Sequence, residues 1–170
     1  MLVLITGGSG SGKSEYAEGR VLELGKSRVY IATMFPFDKE SELRIKRHQD
    51  MRKEKEFKTI ECFLGIHNLN LTKEDTVLLE CMSNLVANEM YQEGGAKENT
   101  PKIIMDGIKK LTKEVKHLVI VSNEVFSDGI QYDDETNRYL SYLGEINKRI
   151  GVMADEVIEV VYSIPILHKG

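Results

Sequence analysis

Leu2-Val3-Leu4-Ile5-Thr6 runs straight into Gly7-Gly8-Ser9-Gly10-Ser11-Gly12-Lys13-Ser14, and the junction between these two stretches decides the fold. The first five residues are apolar without polar alternation, the pattern of a strand buried on both faces. The next eight satisfy G-x-x-x-x-G-K-S/T. Glycines at this density let successive backbone N–H groups converge on one centre, which side chains would block. A helical stretch from Lys13 to about Leu24 then aims its free N–H groups and the positive end of its dipole at the same point. Such a centre suits a polyphosphate. Lys13 adds a full charge at the β- and γ-phosphates, and Ser14 offers a hydroxyl to Mg2+, which prefers hard oxygen ligands. Gly7, Gly8, Ser9, Gly10, Ser11, Gly12, Lys13 and Ser14 are therefore expected to bind ATP or GTP.

Working outward, Val29–Ala32, Thr76–Glu80, His117–Ser122 and Glu156–Val161 are further apolar runs, and Phe57–Cys62 is a weaker one. Between them lie helical stretches at Asp38–Glu54, Ser83–Gln92, Thr100–Lys116 and Asp133–Ile150. Thr100-Pro101 reads as an N-cap followed by proline at the first helical position, after a glycine-containing loop over Glu93–Thr100. Ser163–Lys169 reads as a short edge strand. Strands that are nearly all apolar, alternating with helices, imply a mostly parallel sheet covered on both faces. The expected class is α/β, a P-loop NTPase-like fold with a RecA-like sheet, in a single domain over residues 1–170.

Composition narrows the function classes. Hydrophobic residues make up 41% of the 170, enough for a packed core, and the net charge of −4 disfavours a general nucleic-acid binder. Cys62 and Cys81 have no metal-ligand spacing and read as reduced, buried thiols. No apolar run approaches the ~20 residues needed to span a bilayer. MLVLITGG lacks a basic leader and reads as a strand, not a signal peptide, so the cytoplasm is the expected location.

Several polar residues sit where ligands collect. Thr76–Glu80 is an apolar strand ending in a carboxylate, and P-loop proteins place such an acid beside the loop to hold Mg2+, directly or through water. Glu80 and Ser14 are thus the expected metal pair. Asn123-Glu124 ends another strand in the same way. Ligands gather at the carboxyl ends of parallel strands, so Thr33, Glu80 and Asn123 are expected around one cleft. Glu124 either aligns a substrate hydroxyl or caps the following turn. Arg44, His48 and Arg52 are spaced i, i+4, i+8 on one helix face. Flanking arginines disfavour imidazolium, which suits a nucleophilic histidine, and they attract phosphate. A histidine among charges on an exposed helix is more commonly just solvated.

The chain resembles the bifunctional adenosylcobinamide kinase / adenosylcobinamide-phosphate guanylyltransferase family of cobalamin synthesis. The residues that carry the resemblance are Ile5-Thr6-Gly7-Gly8 with Ser11-Gly12-Lys13-Ser14, Tyr30-Ile31-Ala32-Thr33, and Arg44-Ile45 with His48 and Asp50. Glu61-Cys62, Leu78-Leu79-Glu80-Cys81, Asn88, Asn123-Glu124-Val125, Gly144 with Asn147, and Ala154-Asp155-Glu156-Val157 follow in the same order. The P-loop alone is generic, whereas Tyr-Ile-Ala-Thr followed by Arg-Ile-x-x-His is far more specific. The resemblance implies that His48 accepts GMP from GTP. It implies nucleotide contacts at the P-loop, Ala32, Thr33, Met34, Gln49, Asp50, Met51, Arg52, Glu61 and Glu80, with Lys13 and His48 catalytic. It also implies a corrinoid substrate, phosphorylated on its aminopropanol hydroxyl, and a homotrimer with substrate bound between subunits. The chain departs from the family's pattern at Arg47, at Ile130-Gln131-Tyr132 after Gly129, and at Tyr139-Leu140-Ser141. The residues by themselves leave two other readings: a P-loop kinase of another small molecule, and a nucleotide-gated interaction module using the charged Asp38–Glu54 helix.

Overall fold

The computed structural model describes residues 1–52, 55–126 and 129–170, except for the side chains of Arg44, Arg47, His48, Met51 and Arg52. The strands are β1 (Leu2–Thr6), β2 (Ser27–Ala32), β3 (Lys58–Glu61), β4 (Asp75–Glu80), β5 (His117–Val121), β6 (Glu156–Val161) and β7 (Ile164–Lys169). The helices are α1 (Lys13–Leu24), α2 (Lys39–Arg52), α3 (Met82–Tyr91), α4 (Thr100–Glu114) and α5 (Asp134–Met153), with short 3-10 turns at Ile66–Asn68 and Lys97–Asn99. The strands form one seven-stranded sheet in the order β3-β2-β4-β5-β1-β6-β7. Six run parallel, and β7 pairs antiparallel with β6.

Side chains alternate between faces along each strand, so the central strands feed two cores. Leu2 and Leu4 join Val77, Leu79, Leu118 and Ile120 beneath α3, α4 and α5. Val3 and Ile5 join Leu78, Val119, Val121, Ile158 and Val160 beneath Ala17 and Val21 of α1. Burying each such aliphatic side chain contributes roughly 1.5–3 kcal/mol. That is why the apolar runs without alternation become central strands.

The mostly parallel α/β sheet with helices on both faces is as expected, and the element boundaries differ for local reasons. Thr100 is the first residue of α4 rather than its N-cap; it is fully buried, and its hydroxyl donates to Lys97 O at 2.6 Å. The preceding 3-10 turn continues directly into the helix, which moves the cap position to Asn99. The same helix stops at Glu114, because Val115 is already extended and the Lys116 N–H is taken by Asp75 O at 2.9 Å. Asp133 caps α5 by accepting from Thr136 N–H at 2.7 Å. β6 and β7 are joined by Tyr162-Ser163, both with positive φ (49° and 62°), the backbone of a two-residue hairpin turn whose twist matches the strands. Residues 53 and 54 of the expected charged helix lie outside the described residues.

Candidate active site

β1 delivers the chain into the glycine loop, and the loop is held from three sides. Gly7 O accepts from Glu124 N–H at 3.0 Å, which ties the loop to the segment after β5. Ser11 O accepts from Ser163 N–H at 2.8 Å, which ties it to the hairpin turn. Tyr16 N–H donates to Gly12 O at 3.1 Å as α1 begins. Gly10 and Gly12 have φ of 70° and 91°, a region only glycine enters without strain. A Cβ on Gly12 would also lie 2.7 Å from Ser163 Oγ and 3.2 Å from Ser163 Cα.

Lys13 is only 8% exposed. Its Nζ donates to Gly8 O at 3.0 Å, and no carboxylate among the described residues forms an ion pair with it. Burial lowers its pKa below the ordinary lysine range, with Cys81 and Glu80 acting in the opposite sense. A buried ammonium resting on a single carbonyl is poorly compensated, and an incoming polyphosphate supplies the missing negative charge.

The second half of the site comes from adjacent strand ends. Strand pairing sets Ala32 opposite Glu61 on one side and opposite Glu80 on the other. Glu80 accepts from Ser14 Oγ at 2.5 Å and from Tyr30 Oη at 3.0 Å, so the acid at the end of β4 touches the first turn of α1. Ser14 and Glu80 together offer hydroxyl and carboxylate oxygens at one point. No cluster of three or more His, Cys, Asp or Glu suited to a metal exists among the described residues. Two hard oxygen groups, with phosphates and water completing the shell, is the donor set Mg2+ takes in such sites.

Beside this pair lies a pocket of about 70 Å3, open to solvent and lined in part by Ala32, Met34, Gln49, Glu61 and Glu80. Five nucleotide positions implied by the resemblance thus share one wall. Thr33 does not line it. It is fully buried and acts as a strut: its Oγ1 donates to Cys81 O at 2.8 Å and accepts from Cys81 N–H at 2.7 Å. Its carbonyl accepts from buried Asn88 Nδ2 at 2.8 Å. Asn123 reaches the same β4–α3 junction from β5, where its Nδ2 donates to Ser83 Oγ at 2.7 Å. Thr33, Glu80 and Asn123 therefore converge on one junction, though only Glu80 lines the pocket. Asp50 is exposed on α2. The side chains of His48, Met51 and Arg52 lie outside the described residues; in sequence His48 falls between the pocket-lining Ile45 and Gln49.

Four residues of this wall escaped the sequence reading as site residues: Tyr30, Ile45, Cys81 and Asn84. Tyr30 has a visible signal in retrospect. It alternates with Ala32 along β2, so both project to the same side, but its meeting with Glu80 depends on β2 pairing with β4, which the sequence does not display.

Comparison with known proteins agrees with this geometry. The family profile described as cobinamide kinase / cobinamide phosphate guanyltransferase matches residues 3–167. The bifunctional adenosylcobalamin biosynthesis protein CobU of Salmonella typhimurium is 32% identical, over 99% of this chain and 100% of its own length. The protein of the same name from Escherichia coli K12 is 28% identical over 99% and 100%. The CobP protein of Pseudomonas aeruginosa is 25% identical over 98% and 96%. Among solved structures, the flagellar accessory protein FlaH of Methanocaldococcus jannaschii superposes with a TM-score of 0.52 at 12% identity, covering 99% of this chain and 77% of that one. A KaiC-like protein of Pyrococcus horikoshii gives 0.50 at 14% identity, covering 93% and 71%. At such low identity these two speak for the P-loop NTPase-like fold alone. A glycine loop with its lysine, a strand-end acid bonded to the loop serine, and a whole-chain match to one enzyme family lead to the same place: the chain belongs to the cobinamide kinase / cobinamide phosphate guanyltransferase family.

Proposed function

We propose that this chain, as a single domain, carries out both steps of its family's chemistry. It phosphorylates the aminopropanol hydroxyl of adenosylcobinamide with ATP or GTP. It then transfers GMP from GTP, through His48, to adenosylcobinamide phosphate, giving adenosylcobinamide-GDP. The observation that carries the reading is the contact of Ser14 and Glu80 at the edge of the pocket formed by Ala32, Met34, Gln49 and Glu61. A phosphate cradle and an open pocket meet there.

In the first step, Lys13 and the loop amides hold the triphosphate and neutralise charge developing on the leaving diphosphate. Ser14 and Glu80 would hold Mg2+, which would supply further charge neutralisation. In the second step, a neutral His48 imidazole nitrogen attacks the α-phosphorus of GTP. An N–P bond forms, the α–β bridging P–O bond breaks, and pyrophosphate leaves into the loop. A phosphate oxygen of the acceptor then attacks the same phosphorus and the N–P bond breaks, which returns histidine. The Glu61 carboxylate bordering the pocket suits a guanine edge, which presents N–H donors where adenine has none. Asp50, Met51 and Arg52 follow His48 on α2 and are the further nucleotide contacts that the resemblance implies.

We place the reaction in the cytoplasm, where ATP, GTP and Mg2+ are supplied; no helix among the described residues is long and apolar enough to cross a membrane. We further assign a homotrimer. Besides the resemblance, the β6–β7 hairpin supports association, because Tyr162, Ile164 and Leu167 are 90%, 63% and 63% exposed at the sheet edge. The test of function is product analysis. Cobinamide with ATP and Mg2+ should give cobinamide phosphate, and addition of GTP should give cobinamide-GDP with pyrophosphate release. Phosphorylation of a different alcohol while cobinamide stays inert would overturn the assignment.

A further inference from the structure

A second pocket, sharing no described lining residue with the first, opens at Ser9 of the glycine loop. It is open to solvent, with a volume of about 440 Å3, and its walls include Ser9, Glu124, Val125, Tyr132, Tyr139 and Leu140. Ser9 belongs to the loop, Glu124 and Val125 follow β5, and Tyr139 and Leu140 come from α5. Building on the function proposed above, we propose that this pocket seats the alcohol that receives the phosphoryl group, an amphipathic ring compound with its hydroxyl-bearing arm directed at Ser9.

The direction of the polyphosphate is the first argument. The lysine of such a loop reaches the β- and γ-phosphates. Lys13 Nζ rests on Gly8 O, one residue from Ser9 in the wall of the second pocket. The terminal phosphate therefore belongs at the Gly8–Ser9 end, at the mouth of the second pocket. In-line attack requires the acceptor on the far side of that phosphate from the leaving diphosphate.

The lining is the second argument. Val125, Leu140 and the faces of Tyr132 and Tyr139 are apolar, while Thr136 and the tyrosine hydroxyls give scattered polar edges. A large ring system with amide substituents matches that mixture. Burial pushes the Tyr139 phenol up to about 12, so it stays a neutral donor, and it is anchored on Ser83 O at 3.3 Å.

Glu124 is the third argument. Its backbone N–H is fixed on Gly7 O, and its Oε1 accepts from Phe126 N–H at 2.9 Å, so the carboxylate is held beside the loop. It caps the following turn and also lines the pocket. In the transfer, the acceptor oxygen forms a bond to the γ-phosphorus as the β–γ bridging P–O bond breaks. The hydroxyl proton passes to the Glu124 carboxylate and then to water, and ADP departs.

The experiment uses the full chain with ATP, Mg2+ and cobinamide, and measures self-guanylylation with GTP and Mg2+ as an independent readout. Leu140→Trp, which fills the pocket, should raise the KM for cobinamide by roughly tenfold or more while leaving the KM for ATP and self-guanylylation unchanged. Thr136→Arg, at the same wall, gives a second obstruction should the tryptophan prevent folding. Glu124→Gln should lower kcat by roughly 100-fold with little change in KM for cobinamide. Unchanged cobinamide kinetics in both pocket variants, with self-guanylylation intact, would overturn the proposal while leaving the assigned function standing. A wild-type protein that guanylylates itself but neither binds nor phosphorylates cobinamide would instead overturn the function and this inference together.

Discussion

Replacing Glu80 by glutamine should weaken magnesium–ATP binding and strengthen metal-free ATP binding, a reversal that only a metal-holding carboxylate produces. In the resting protein Glu80 accepts from Ser14 and Tyr30 and sits at the loop's edge. Coulomb's law gives about 3 kcal/mol between this charge and a phosphate charge about 6 Å away at an effective dielectric of about 20. With solvent screening, about 1–2 kcal/mol of repulsion is relieved in the amide variant, so metal-free ATP should bind roughly 5–30-fold more tightly. With magnesium present, loss of the anionic oxygen should cost about 10–100-fold in affinity. Two charge-assisted hydrogen bonds also become neutral, at about 1 kcal/mol each. For a chain of this size that lowers Tm by about 4–8 °C without ligand. Calorimetric titrations of wild type and Glu80→Gln with ATP, in magnesium and in EDTA, check this directly. Equal weakening in both buffers would refute the metal role and leave Glu80 as a purely structural partner of Ser14 and Tyr30.

Gly12→Ala meets both a left-handed φ and Ser163 at 2.7 Å, so it should lose about 2–4 kcal/mol in urea unfolding and abolish detectable ATP binding. Lys13 has a depressed pKa when unliganded and regains its proton beside phosphate, so binding should take up a proton as the pH approaches that depressed value. ATP affinity should then hold at lower pH and fall as pH rises above it, measurable by calorimetry in buffers of different ionisation enthalpy. The same shift penalises the charged form in the fold, so the Lys13 contribution to stability improves as pH rises from the folded pKa towards the ordinary lysine value. Burial pushes the Cys62 thiol up to about 11 and raises that of Cys81. Neither cysteine should react with a thiol reagent at pH 7.5 in the native protein, and both should react in denaturant.

Much of this site is readable one strand at a time. The loop, its lysine and serine, and the strand ending in Glu80 announce themselves because each is a local pattern with a local physical cause. The hairpin at Tyr162–Ser163 and the strut at Thr33 are not readable in that way. Ser163 supports the loop across 152 residues of sequence through a hydrogen bond to Ser11, and Thr33 is a buried clasp on Cys81 rather than a ligand group. Both depend on which strands become neighbours, and apolar strands of similar length carry little sign of their order. Asn88, Asn147 and Asp155, which helped carry the family resemblance, turn out to hold the frame: they bond to Thr33 O, Ser122 Oγ and Leu2 N–H respectively. Residues that carry a family resemblance are easily mistaken for ligand contacts until their partners are known.

Intact-mass spectrometry after incubation with GTP and Mg2+ tests the central claim most directly. The account predicts that wild-type protein gains the mass of one GMP, that the adduct is acid-labile as an N–P bond is, and that His48→Asn and Lys13→Ala prevent it. A protein that binds GTP yet never gains that mass, or that gains it equally in His48→Asn, would contradict the account.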